Sequence, residues 1–195
     1  MHVKGLEFSG HDPRAFNGVA LGYATSARGA CHLSALTHPF ERILSFPELG
    51  FSEPHDRFGL ERKGELTAKL QNLMGVFDSF KICKFVLFGG ASVTHLLHWL
   101  RCVTGRDYDL AKLMTSGERI FNAKRLYNIK CGISRKDDTL PKRILTHRRG
   151  EGSAAENLPN LEAMLEEYYT IRGWDENGIP KRETLERLGL SSLRR

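Results

Sequence analysis

No two cysteines in this chain of 195 residues stand at the spacing a metal would need. The four are Cys31, Cys83, Cys102 and Cys131, and the nearest two, Cys83 and Cys102, are nineteen positions apart. Thiolate ligands of zinc and of iron–sulfur clusters recur about two to four residues apart, so no pair here forms a ligand set within the chain. Four scattered thiols do not make a disulfide framework either, and a reducing compartment is expected. Long hydrophobic runs are also missing: nothing approaches the roughly twenty apolar residues that cross a bilayer, and no membrane partner is expected. The N-terminal "MHVKGLEFSGHD" lacks the apolar core of a signal peptide, which predicts a soluble, cytoplasmic protein. Strand-like alternation is scarce, and there is no internal repeat or low-complexity segment.

What is present is an ordinary globular composition, 41% hydrophobic and 27% charged, with an excess of base. The net charge of +6 and the isoelectric point near 9.3 raise nucleic acid as a partner. The excess gathers in two places: Lys142, Arg143, Arg148 and Arg149 within "KDDTLPKRILTHRR", and Arg194 and Arg195 at the end. Neither interleaves aromatic residues with the basic ones, as a single-strand platform does. A solvated basic surface is the plainer reading and nucleic acid is not the expected partner. A noncatalytic helical module that binds nucleic acid or protein through residues 142–149 stands as the alternative.

Residues 1–60 are rich in Gly, Pro and His without a sustained period, and read as loops and short turns. From residue 65 the pattern becomes helical. "GELTAKLQNLMGVFDSF" sets Leu66, Leu70, Leu73, Met74 and Phe77 on one face. "ICKFVLF" is apolar on all sides, which predicts a buried helix after a break near Asp78. Ser92 is placed to cap "VTHLLHWLRCV", which ends at Gly105, and Asp107 to cap the long amphipathic "LAKLMTSGERIFNAKRLYNIKCG". A charged, flexible segment over residues 136–157 leads to "LEAMLEEYYTIRG" and "KRETLERLGL", where Gly189 closes the helix and Leu190 folds back on it. The expected fold is mainly α: an irregular N-terminal region over 1–60, a helical core over 65–135 and C-terminal helices over 158–190.

Five blocks, "HDPRAFNGVALGYATSARGACHL", "DSFKICKF", "GERIFNAKRLYN", "SRKDDTLPKR" and "YYTIRGWDENGIPKRETLERLGL", occur in an order and spacing that cover nearly the whole chain. In that order the chain resembles the C-terminal domain of the tungsten-containing aldehyde ferredoxin oxidoreductase family. The resemblance implies a larger enzyme, with an N-terminal β domain and a middle helical domain absent from these 195 residues. It also implies a tungsten or molybdenum bis-pterin, a [4Fe-4S] cluster, oxidation of aldehydes to carboxylic acids with ferredoxin as electron acceptor, and possible homo-oligomers. This chain alone would be inactive. The family's short motif beginning with aspartate falls here on Asp78 to Cys83. Cys83 resembles a cluster ligand whose three companions lie outside the chain, Asp78 and Ile82 resemble pterin contacts, and His32 resembles the family's near-metal histidine. The family's glycine and leucine before the cysteine are here Lys81 and Ile82. Lysine gives up easy access to positive φ, and its amine is placed to pair with a cofactor phosphate.

Each residue also has a plainer reading. Asp78 suits a helix N-cap, Cys83 a core position and His32 a loop; Cys31 reads as packing. Gly22 and Gly29, with small neighbours, allow backbone to pass close to a bulky ligand. Arg119, Asn122, Arg125, Asn128, Arg135, Asp137 and Asp138 have the chemistry to tie helices and loops together by charge-assisted hydrogen bonds, with Arg119 or Arg125 as alternative phosphate contacts. Trp174 reads as packing between the last helices.

Overall fold

A computed structural model describes residues 1–194; Arg195, one of the two terminal arginines, lies outside the described residues. The fold is built on one central helix, α2 (Lys63–Phe80), which packs against α4 (Leu110–Lys130), α6 (Leu161–Arg172) and α1 (Asn17–Thr25). Its apolar stripe is the one the spacing predicts: Leu66, Leu70, Leu73, Met74 and Phe77 are each at most 1% exposed. Burying side chains of that kind contributes about 1.5–3 kcal/mol apiece. The close approach of α4 to α2 depends on Gly117, because a Cβ there would stand 2.2 Å from the Asn72 carbonyl oxygen. The described strands are β1 (His2–Val3) and β2 (Leu6–Glu7), an antiparallel pair with Val3 opposite Leu6.

Polar side chains bind these helices from inside. Arg172 is 1% exposed and donates to Asn72 Oδ1 at 2.6 Å, Gln71 Oε1 at 2.8 Å and the Ala68 carbonyl at 3.1 Å, joining α6 to α2. Arg125 and Lys4 both pair with the buried Asp138 carboxylate, at 2.9 and 2.7 Å, and Tyr169 donates to the same group. Trp174 packs on Phe121, Tyr168 and Tyr169 and donates its Nε1–H to Asn122 Oδ1 at 2.8 Å. These are the scaffold roles expected of Asn122, Arg125, Asp138 and Trp174. Arg125 is therefore committed to Asp138 and is not free for a phosphate.

The remaining helices follow their caps. α3 (Val93–Thr104) starts at Ser92, whose side chain and backbone both meet His95, and ends at Gly105 with φ +64°. α4 is capped by Asp109, which accepts from Lys112 N at 2.7 Å; Asp107, the expected cap, lies outside the helix and pairs with Arg101 at 3.5 Å. α7 (Arg182–Arg187) closes as its sequence predicts, with Gly189 at φ +65° and Leu190 N donating back to Leu185 O.

Three expectations are corrected. The irregular N-terminal region contains α1, all nine residues of which are buried; a helix enclosed on every side has no amphipathic period to read. "ICKFVLF" is not a buried helix: residues Lys84–Gly89 form a 3₁₀ helix whose Phe85 and Phe88 are 59% and 49% exposed. The charged segment 136–157 holds a short helix, α5 (Lys142–Thr146), and within it Arg148 and Arg149 pair with Glu156 and Asp12.

Candidate functional site

Helix α2 ends where Lys81 takes the left-handed conformation, φ +59°. Lys81 N donates to Asp78 O and Ile82 N reaches back to Phe77 O, both at 3.4 Å, the double closure of a helix C-terminus. This turn swings Ile82 and Cys83 out of the helix axis, beside the last-turn side chain of Asp78. All three line one cavity of about 1070 Å³. His32 lines the same cavity from a separate element, a 3₁₀ turn over His32–Ser34. The four residues singled out from the sequence are thus brought together by α2, its closing turn and the 27–34 loop. The cavity's other walls are β2 with the two residues after it, Phe8 and Ser9, and the α4 face that carries Ile120, Lys124, Tyr127 and Asn128.

Asp78 is not an N-cap. It sits at the C-terminal end of α2, where exposed carbonyls disfavour a carboxylate, and cations compensate: Lys84 Nζ is 2.9 Å from Oδ1 and Lys124 Nζ 4.0 Å from Oδ2. Lys84 also donates to the Leu33 carbonyl at 2.9 Å, which fastens the His32 loop to the turn carrying Cys83. Asn128 Nδ2 does the same from α4, donating to Ala27 O at 2.7 Å. Cys83 is exposed and free, so its thiol is not the core residue of the plainer reading.

His32 is the most elaborately held member. Its Nδ1 lies 3.0 Å from Ser9 Oγ, which is 2.8 Å from the Tyr23 hydroxyl and 3.4 Å from His11 Nδ1. The His11 ring stacks on His32 at 4.3 Å, and His38 lies 4.5 Å from His11 and 6.0 Å from His32, so the three rings form one cluster. Burial, with His11 and Lys84 beside it, lowers the pKa of His32 below the ordinary imidazole value. Burial takes His38 further, down to about 4. Tyr23 is raised, again by burial.

Several residues of the site were not legible as such. Arg28, Lys84 and Lys124 supply positive charge around the cavity, whereas Lys81, the cation expected there, is exposed and is not among the lining residues. Lys84 carried one signal, its adjacency to Cys83. Ser9 and His11 carried none, because they meet His32 across more than twenty positions of chain. Cys31 lines the cavity as well, half-buried. The glycines serve the chain itself: a Cβ on Gly29, at φ +95°, would come 2.1 Å from the Val3 carbonyl oxygen, and one on Gly22 would meet Ala35 at 3.2 Å. Arg119 is exposed on a separate surface cleft beside Arg106 and Lys112.

Residues 1–190 match the family model described as aldehyde ferredoxin oxidoreductase, domains 2 and 3. The chain belongs to this family. It is 38% identical over 194 residues to the tungsten-containing aldehyde ferredoxin oxidoreductase of Thermococcus kodakarensis, a match covering 99% of the chain. It is 39% identical over 195 residues to the enzyme of that description from Pyrococcus furiosus. In both cases the chain spans 31% of the relative's length, so it corresponds to a part of an enzyme. A more distant relative is the aliphatic sulfonate oxidoreductase, WOR-like subunit, of Pyrococcus furiosus, 27% identical over 206 residues and matched over 28% of its length. Among solved structures, the active-site complex BamBC of benzoyl coenzyme A reductase shares the fold. The TM-score is 0.65 at 17% identity, over 97% of this chain and 32% of that one. Among the described residues, no helix of the family member is long and apolar enough to cross a membrane.

Proposed function

We propose that this chain forms one wall of the active site of a tungstopterin, [4Fe-4S] oxidoreductase that converts aldehydes to carboxylic acids and passes electrons to ferredoxin. The reading rests on one observation: His32, Asp78, Ile82 and Cys83, from three separate elements, line a single cavity. Whole-chain membership of the aldehyde ferredoxin oxidoreductase family supports it. In this reading the chain is the family's C-terminal domain. The N-terminal and middle domains close the cavity, the enzyme is cytoplasmic, and any homo-oligomer forms from the complete protein.

The donor set fits the cofactors. Cys83 presents an exposed thiol for one cluster iron, with three thiolates to come from the remainder of the enzyme. Asp78 keeps acceptor lone pairs for pterin N–H groups beyond those that Lys84 uses, and Ile82 offers backbone beside it. Arg28, Lys84 and Lys124 suit the anionic phosphates of a pterin. The bound cofactors supply the two-electron oxidation and the route for electrons. His32, neutral near pH 7 because burial lowers its pKa, is placed to accept a hydrogen bond, and then the proton, from an O–H of the water or hydrated substrate.

The test is Cys83→Ser in the complete enzyme, purified anaerobically. The cluster's electron paramagnetic resonance signal and ferredoxin reduction are expected to be lost. The side-chain change itself is exposed and nearly isosteric and costs less than about 1 kcal/mol, so any larger fall in melting temperature should track the iron lost. Full iron content with unchanged ferredoxin reduction would rule out the ligand role.

A further inference from the structure

We propose that Ser9 and His11 form a proton exit from the cavity, in which the Ser9 hydroxyl carries protons from His32 to His11. This rests on the aldehyde-oxidation reading above. Oxidising an aldehyde with water, RCHO + H₂O → RCOOH + 2H⁺ + 2e⁻, releases protons as well as electrons into an enclosed site. The electrons have a route in the cofactors and their acceptor; the protons need one too.

Geometry singles out Ser9. Its Oγ is within reach of two imidazole nitrogens at once, His32 Nδ1 at 3.0 Å and His11 Nδ1 at 3.4 Å. A hydroxyl can receive at its oxygen while giving up its own hydrogen, so the two contacts make a relay in place of two dead ends. Ser9 and His32 line the cavity, whereas His11 is not among its lining residues and is half-buried. Stacking at 4.3 Å holds the two rings together but cannot move a proton between them, which leaves the hydroxyl as the bridge. In the relay's resting state the Tyr23 hydroxyl, 2.8 Å from Ser9 Oγ, donates to it, which holds Ser9 in place and leaves its one hydrogen for His11 Nδ1.

The step balances as follows. In the resting state His32 carries its proton on Nδ1 and donates to Ser9 Oγ, and Ser9 donates to His11 Nδ1. A proton from the oxidation arrives at His32 Nε2. The Nδ1 proton passes to Ser9 Oγ, the Ser9 proton passes to His11 Nδ1, and His11 releases its Nε2 proton to water. Net, one proton leaves the cavity and Ser9 is unchanged. The hydroxyl then rotates back and the rings regain their first tautomers by exchange with water.

Two measurements test this. In the complete enzyme, nitrogen NMR of labelled imidazoles should show His32 protonated on Nδ1 and His11 with Nδ1 as acceptor. Both should change tautomer population in Ser9→Ala, while the His11–His32 stack persists. The same tautomers in wild type and variant overturn the relay. In the complete enzyme, Ser9→Ala should lower kcat about tenfold, a modest share of the effects seen for positioned acids and bases. Millimolar imidazole buffer should restore the rate, and Ser9→Thr should retain it. A wild-type rate in Ser9→Ala, or a loss that no buffer restores, also overturns it. If the wild-type enzyme oxidises no aldehyde, the function reading fails by itself, and the tautomer measurement still decides the relay.

Discussion

Lys84 Nζ lies 2.9 Å from Asp78 Oδ1 and equally close to the Leu33 carbonyl oxygen, so one ammonium ties the end of α2, the turn bearing Cys83 and the loop bearing His32. The lysine is largely enclosed while its partner carboxylate is half-exposed, at 12% and 53% exposure. Replacing it with methionine keeps the stem and removes the charge. Stability should fall by only about 0.5–1 kcal/mol because the pair is partly screened, and the main change should be local. Hydrogen exchange of the amides around Cys83 and His32 should quicken; unchanged exchange would show that Lys84 is not the tether.

Lys81 occupies a left-handed position, φ +59°, at the end of α2. A side chain there costs about 1 kcal/mol relative to glycine. Lys81→Gly is therefore expected to raise stability by about 0.5–1 kcal/mol, read as a higher urea midpoint with unchanged slope. A β-branched residue, as in Lys81→Val, should lower it.

Arg172 is buried with three acceptors on α2 around its guanidinium. Truncation to methionine takes the donor from Asn72 Oδ1, whereas Gln71 Oε1 keeps its bond from the Tyr168 hydroxyl; the loss is expected to cost about 1–3 kcal/mol. Arg172→Lys should rescue only a fraction, since one ammonium cannot reproduce the planar fork. Chemical denaturation of the two variants measures the difference.

His38 brings a pH dependence. Its folded pKa of about 4 lies below the ordinary 6.5, because burial, then His11, His32 and Arg42, oppose its charging. The fold favours the neutral ring, so this contribution is complete above pH 6.5 and is lost as pH falls from there through 4. Glu65, held near 2 chiefly by its hydrogen bond from Arg62, stays ionised across that window. After screening at a partly exposed site, the loss is on the order of 1 kcal/mol. His38→Gln should flatten the fall in melting temperature between pH 7 and pH 4.5 relative to wild type.

Much of the helical core was legible because its helices are amphipathic and punctuated. The α2 stripe, the Ser92 cap and the Gly189 closure each follow from spacing or from one residue type. Helix α1 was not, because its nine residues are buried on every face and leave no period. The 84–89 turn was misread because apolar side chains were taken as buried, whereas Phe85 and Phe88 face outward. At the site, Asp78, Ile82, Cys83 and His32 were found through family resemblance and not through spacing; read alone, each had an ordinary structural role. Ser9, His11 and Lys84 meet their partners only in three dimensions, with twenty-three positions between Ser9 and His32 and fifty-one between Leu33 and Lys84.

Helix α2 is at once the spine of the core and a wall of the cavity. Asp78 projects a single residue past Phe77, whose side chain is fully enclosed, and the Cys83 turn is pinned two ways. The wall therefore takes its shape when the domain folds, before any ligand arrives. A group docking there loses little affinity to ordering this side of its site. Such a wall suits a tenant that is installed once and kept through many turnovers, in contrast to one that must enter and leave in each cycle.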